Sequence, residues 1–120
     1  MNKEKVAQLR KAAMKVAEAA RNDAVFGTLG LFHGDGRPCC ILGHFCAELS
    51  IKADDARHAV TKHGSFYGPF VDYVELAPSA IQQRAMDMMV RHVYRANDEG
   101  LTKSAGNHLL VLVDFISEQE

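Results

Sequence analysis

The chain has 120 residues, 48% of them hydrophobic and 24% charged, with 14 basic against 15 acidic side chains and a formal net charge of −1. That length suits one domain spanning 1–120, and the apolar share excludes a disordered chain. The even charge balance excludes a global pull toward nucleic acid or an anionic membrane.

Two further features bear on location. The opening residues, Met1-Asn2-Lys3-Glu4-Lys5-Val6, are charged and lack the apolar core of a secretory signal, and the longest apolar run, 109–113, is too short for a bilayer. Cys39, Cys40 and Cys46 form an odd set at spacings that fit no disulfide framework. The expectation is a cytoplasmic protein with free thiols, no membrane contact and no cofactor.

Taken along the chain, Val6, Leu9, Ala13, Val16 and Ala20 recur in steps of three and four, with Lys11, Lys15 and Glu18 on another face. That period predicts an amphipathic helix over 3–22. Gly27, Gly30, Gly34 and Gly36 then interrupt it, and His33-Gly34-Asp35-Gly36-Arg37-Pro38 is a dense turn signal, so 25–38 reads as a short β-hairpin or an irregular loop. Pro38 suits a helix start, and Ile41, Leu42, Phe45, Cys46 and Leu49 make the apolar side of a short buried helix over 39–50.

Asp54 is positioned to cap a helix running to residue 63. From 64 to 78 the helical period disappears, and Phe66, Tyr67, Phe70 and Tyr73 crowd around Gly68 and Pro69, which predicts an ordered loop packed by its own aromatics. Ser79 and Gln82 read as a capping box opening a helix to 96, with Arg84, Asp87, Arg91 and Arg95 as its polar stripe. The rest of that circumference is apolar, which predicts the central helix. Gly100 is available to end it in a left-handed conformation, and Thr102 or Ser104 is placed to cap the last element. Ala105, Leu109, Leu112 and Ile116 have helical spacing, although 109–113 alone also suits a buried strand. The fold expected is mainly α, a compact domain of four to five helices.

Two segments, Gly36-Arg37-Pro38-Cys39-Cys40-Ile41-Leu42-Gly43 and Asn97-Asp98 followed by Thr102, resemble a family of small uncharacterised bacterial and phage proteins. These carry Cys-x-x-Gly at a helix start and Trp-Asn-Asp…Thr before the last helix. By position Cys40 and Gly43 match the first motif, and Asn97, Asp98 and Thr102 the second. Ala96 stands where the family has Trp, and His44 and Phe45 replace small or aliphatic residues. The resemblance implies a helical fold, a phage or mobile-element origin, and a latch in which Asn97 and Asp98 fix the final helix against the Cys40 helix.

Cys40 is the first candidate for chemistry. A thiol at a helix N-terminus faces free amides that favour the thiolate, and His44 and Glu48 follow along one strip, so Cys40 as nucleophile, His44 as base and Asn97 or Glu48 as orienter would make a thiol hydrolase or transferase. Against this, free cysteine is among the most buried residue types, and apolar neighbours raise a thiol pKa as readily as the helix end lowers it. A metal module is another possibility, with Cys39, Cys40, His44, Cys46, His58 and His63 close in sequence. The paired-ligand spacing of structural zinc is missing, however, so no metal is expected.

His92, lying among Ile81, Ala85, Met88 and Met89, reads as a hydrogen-bonded core histidine, and Met86, Met88 and Met89 read as core filler. Arg84, Arg91 and Arg95 could hold phosphate or an acidic partner, but Asp87 within the stripe favours a solvated face with local ion pairs. The aromatics Phe66, Tyr67, Phe70 and Tyr73 are either a binding surface or a satellite core. With no catalytic set complete, the expected function is an accessory module that binds an unidentified protein partner.

Overall fold

A computed structural model describes residues 1–119, and six α-helices run through them: α1 (Lys3–Arg21), α2 (Ile41–Glu48), α3 (Ala53–His63), α4 (Gly68–Tyr73), α5 (Ala80–Asp98) and α6 (Thr102–Ser117). The domain is helical, as the periodicity predicts, with one more helix than expected. Among the described residues no helix is long and apolar enough to cross a membrane.

Helix α6 occupies the middle of the bundle, packed against both α1 and α5. A short turn makes α5 and α6 antiparallel neighbours, and Gly100 within it takes φ +77°. Helix α1 also runs antiparallel to α6, because Arg10 pairs with Asp114 while Ala17 and Ala20 lie against Gly106. A Cβ on Gly106 would sit 3.1 Å from the Ala20 Cβ and 3.3 Å from the Ala17 Cα, so glycine opposite a run of alanines sets this close crossing. The core between the three long helices is Leu9, Ala13, Val16, Met86, Val90, Val93, Leu109, Leu112 and Ile116. Helices α2 and α4 meet α1 at points along its length, Glu48 at Lys15 and Tyr73 at Gln8, with α3 packed on α4, and Phe45 stacks on Phe70 at 4.6 Å between ring centroids.

Several local expectations are corrected. The span 64–78 is not a loop throughout: it contains α4, in which Pro69 occupies the first turn, where a missing amide proton costs nothing. Lys52, not Asp54, is the N-cap of α3, and Asp54 lies in the first turn, where its charge suits the helix dipole. Helix α6 starts after Leu101 with no side-chain cap, so neither Thr102 nor Ser104 has that role. Residues 109–113 are helical, the strand alternative failing because Leu109, Leu112 and Val113 bury as one stripe with Ala105 and Ile116. The capping box of Ser79 and Gln82 is present as read.

Helix α5 is not the central helix. Its buried stripe is Met86, Val90, Val93, Ala96 and Asn97, while Ile81 is 80% and Met88 63% exposed. Met86 alone of the three methionines is full core; Met89 is half-buried. His92 is exposed rather than core, and its ring stacks on His108 of α6 at 5.3 Å.

Candidate functional site

The site lies where the loop 22–40 meets the start of α2 and the end of α5. The hairpin expected at 25–38 is reduced to one antiparallel bridge between Phe32 and Pro38, with no strand among the described residues. Proline has no amide to extend a ladder, and the glycines bend the chain before a second pair can form. The loop instead doubles back on the approach to α2: the Gly27 amide donates to the Cys39 carbonyl at 2.8 Å, Cys39 to Leu31 at 2.8 Å and Cys40 to Gly30 at 3.1 Å. With the Cys39 and Cys40 amides spent this way, α2 begins at Ile41 and Cys40 becomes its extended N-cap, not its second residue.

Two consecutive residues at the end of α5 hold this loop. Asn97, only 5% exposed, accepts from the Ile41 amide at 3.1 Å and donates to the Gly27 carbonyl at 2.9 Å. It supplies from another helix the cap that the Cys40 side chain does not provide. Asp98 accepts from the Leu29 amide at 3.2 Å. The latch anticipated from Asn97 and Asp98 therefore joins α5, not the final helix, to the Cys40 helix and its loop.

Gly43 explains itself here. A Cβ at this position would overlap the Leu31 carbonyl oxygen, so the loop can lie across α2 only over a glycine. Leu29 carries strain, with φ +64° in the left-handed region that a bulky side chain avoids at a cost of ~1–2 kcal/mol. Its side chain gains nothing in return from the core, being 88% exposed, and Val25 beside it is 92% exposed.

Cys40 itself is 3% exposed. Its sulfur lies near the Leu42 and Gly43 amides, which favour the thiolate, but burial outweighs them and pushes the thiol pKa up. Cys46, wholly buried, is pushed much further in the same direction. The His44 ring packs edge-on against Phe26 at 5.0 Å, and partial burial depresses its pKa. Glu48 is bound to Lys15 at 3.0 Å. Cys40, His44, Glu48 and Asn97 thus have separate partners, and among the described residues no side-chain hydrogen bond links the thiol to the imidazole or the imidazole to either orienter. Cys39 donates weakly to the Thr28 carbonyl at 3.5 Å, all three cysteines are free, and no group of three or more metal-ligating side chains gathers among the described residues.

The other candidate residues lie elsewhere. Tyr67 and Phe70 are buried at 2% and 0% exposure, which removes both from any binding face and makes the aromatic cluster part of the main core. Tyr73 is half-buried and bonded to Gln8, while half-buried Phe66 sits edge-to-face with Tyr94 at 5.3 Å. Arg84, Arg91 and Arg95 are exposed, and Arg91 pairs with Asp87 at 2.9 Å. Thr102 lies in the first turn of α6 without capping it.

Sequence reading passed over Val25, Leu29 and Tyr94. Two aliphatics in a glycine-rich turn have no period, and what sets them apart, their exposure and the positive φ of Leu29, appears only in the folded chain.

Below Leu29 lies a cavity of about 180 Å³ lined by Leu29, Gly30, Leu31, Cys40, Leu42, Phe66, Tyr94 and Asp98. An open groove of about 660 Å³ runs on the other side of the loop, past Val25 and Phe26 to Leu101 and Lys103. No family model, curated protein or solved structure matches the chain.

Proposed function

We propose that the chain is a protein-binding module working in the reducing interior of the cell, and that its docking element is the pinned loop 24–31 and not the aromatic segment. The observation that carries this is the pairing of near-full exposure at Val25 and Leu29 with a backbone tied down by Asn97 and Asp98. Folding alone gives no reward for holding Leu29 in a strained conformation with its side chain in solvent. A partner that covers both aliphatics, and Leu101 across the groove at 53% exposure, recovers that energy and finds the loop already ordered. Three buried free thiols fit the compartment. The thiol-enzyme reading has less support, because burial holds the Cys40 thiol protonated and its expected helpers are engaged elsewhere.

The test is the double variant Val25→Asp/Leu29→Asp, immobilised and exposed to native lysate beside the parent protein. The parent should retain a discrete partner that the variant loses, while the melting temperature changes little, since both sites are solvated and such changes stay within about 0.5 kcal/mol. Leu29→Gly should hold or raise the melting temperature by relieving the strain, yet still weaken capture. Equal capture by parent and variants would sink the proposal.

A further inference from the structure

We infer that the cavity beneath the loop is a binding site for a small amine built on one hydrocarbon ring, with the cation at the Asp98 rim and the ring directed toward the Cys40 floor. This goes beyond the docking role of the loop, since it concerns the inner side of the same segment. The walls come from four separate places in the chain: the loop at 29–31, the start of α2 at Cys40 and Leu42, Phe66 between α3 and α4, and Tyr94 with Asp98 on α5. Leu31, Cys40 and Leu42 are buried while Leu29 and Asp98 are exposed, so the cavity has a floor and a mouth.

Size limits what enters. The cavity holds about 180 Å³ and opens to solvent on the Leu29 and Asp98 side, so against the roughly 150 Å³ of a closed apolar cavity that accepts benzene it has room for no more than one six-membered ring. The walls suit such a ring, being leucines, two aromatics and a polarizable sulfur.

Charge decides the rest of the ligand. One Asp98 oxygen accepts from the Leu29 amide, and among the described residues no lysine or arginine pairs with the carboxylate. Asp98 is also the last residue of α5, where the helix dipole disfavours an anion. An unpaired carboxylate at the negative end of a helix, beside an apolar hole with two aromatic rings in its wall, favours an ammonium group in preference to a neutral or anionic one.

The experiment is a titration of the full chain, followed by amide chemical shifts, with three probes of one shape: benzylamine, benzyl alcohol and benzoate at neutral pH. Benzylamine should shift the Gly30, Leu31 and Cys40 amides saturably in the millimolar range or tighter. Benzyl alcohol should bind about three- to fivefold more weakly, because Asp98 is exposed, and benzoate more weakly still. Asp98→Asn keeps an oxygen for the Leu29 amide and removes the charge, so it should bring benzylamine down to the level of the alcohol. Should that variant lose its fold, raising the salt concentration on the parent must close the same gap. Equal binding of amine and alcohol to the parent, or amine shifts scattered over other acidic side chains without saturation at Gly30 and Leu31, would overturn the inference. Partner capture by the loop can fail or succeed without affecting either outcome.

Discussion

Replacing Asn97 with alanine tests the joint on which the whole site depends. The substitution strips partners from two backbone groups, the Ile41 amide at 3.1 Å and the Gly27 carbonyl at 2.9 Å, at a position only 5% exposed. The buried Ile41 amide left unsatisfied costs about 1–3 kcal/mol and the lost bond to the part-buried Gly27 carbonyl about 1 kcal/mol more, so the two together should cost roughly 2–4 kcal/mol, out of a total stability of about 5–15 kcal/mol. For 120 residues the unfolding entropy is about 0.25 kcal/mol/K, which converts that loss into a melting temperature lower by roughly 8–16 °C. Urea denaturation gives the free energy directly, and Asn107→Ala is the control, because Asn107 is exposed on α6 and its loss should stay within about 0.5 kcal/mol. Local loosening should also appear as faster alkylation of Cys40 in native buffer, since the loop that covers it loses its buried tie to α5. A loss at Asn97 below about 1 kcal/mol, or no larger than at Asn107, would show that the buried amide does not hold the loop.

Three more outcomes follow from the packing. Gly43→Ala would ordinarily strengthen a helix by about 0.5–1 kcal/mol, but the Leu31 carbonyl occupies the space, so urea titration should show a loss of more than about 2 kcal/mol. Phe70→Ala should cost about 3–5 kcal/mol by the same measurement, since its ring is fully buried against Phe45; a change under about 1 kcal/mol would return the aromatic segment to the surface. Stability should also fall as pH rises above about 8.5, because the unfolded chain then releases thiol protons that buried Cys40 and Cys46 retain, whereas below that value both states keep them. Comparing urea midpoints at neutral pH and at pH ~10 measures the effect, and Cys46→Ala should reduce it, leaving the part that belongs to Cys40.

Much of the fold was legible in residue spacing. The period of Val6, Leu9, Ala13, Val16 and Ala20 marks α1 to within one residue, and the reciprocal bonds of Ser79 and Gln82 mark the start of α5. Such signals are local, carried by residues three or four apart, and they survive tertiary packing. The errors arose where a distant segment decided the matter. Asp54 and Thr102 are good capping types, yet the chain enters both helices one residue or more earlier. Gly68 and Pro69 look like breakers, but together they open α4. Helix α5 was read as apolar nearly all round because Ile81 and Met88 are hydrophobic, and hydrophobicity does not say which face finds a neighbour.

The site was legible in part. Cys40, Gly43, Asn97 and Asp98 do converge, joined by hydrogen bonds and by the close pass of Leu31 over Gly43. Their duties were not legible, since whether an N-terminal thiol is activated depends on how much solvent it keeps, and burial at Cys40 reverses the effect of the helix amides. Exposure of Val25 and Leu29 leaves no trace in composition at all.

The order in which the three long helices appear along the chain has a consequence for synthesis. Helix α1 has its main partner in α6, which leaves the ribosome roughly 80 residues later, or some 4–16 s at ordinary elongation rates. Throughout that interval the stripe of α1 that meets α6 lacks that partner, although α2 emerges earlier and packs on another part of the helix. The face it leaves open is mild: besides Leu9 and Val16 its buried positions are Ala12, Ala13, Ala17 and Ala20. Small side chains there do two jobs, allowing the tight crossing over Gly106 once α6 arrives and offering little sticky surface to other nascent chains before it does. Enlarging one of them, as in Ala13→Leu, should therefore lower soluble yield during expression by more than the loss of equilibrium stability alone accounts for.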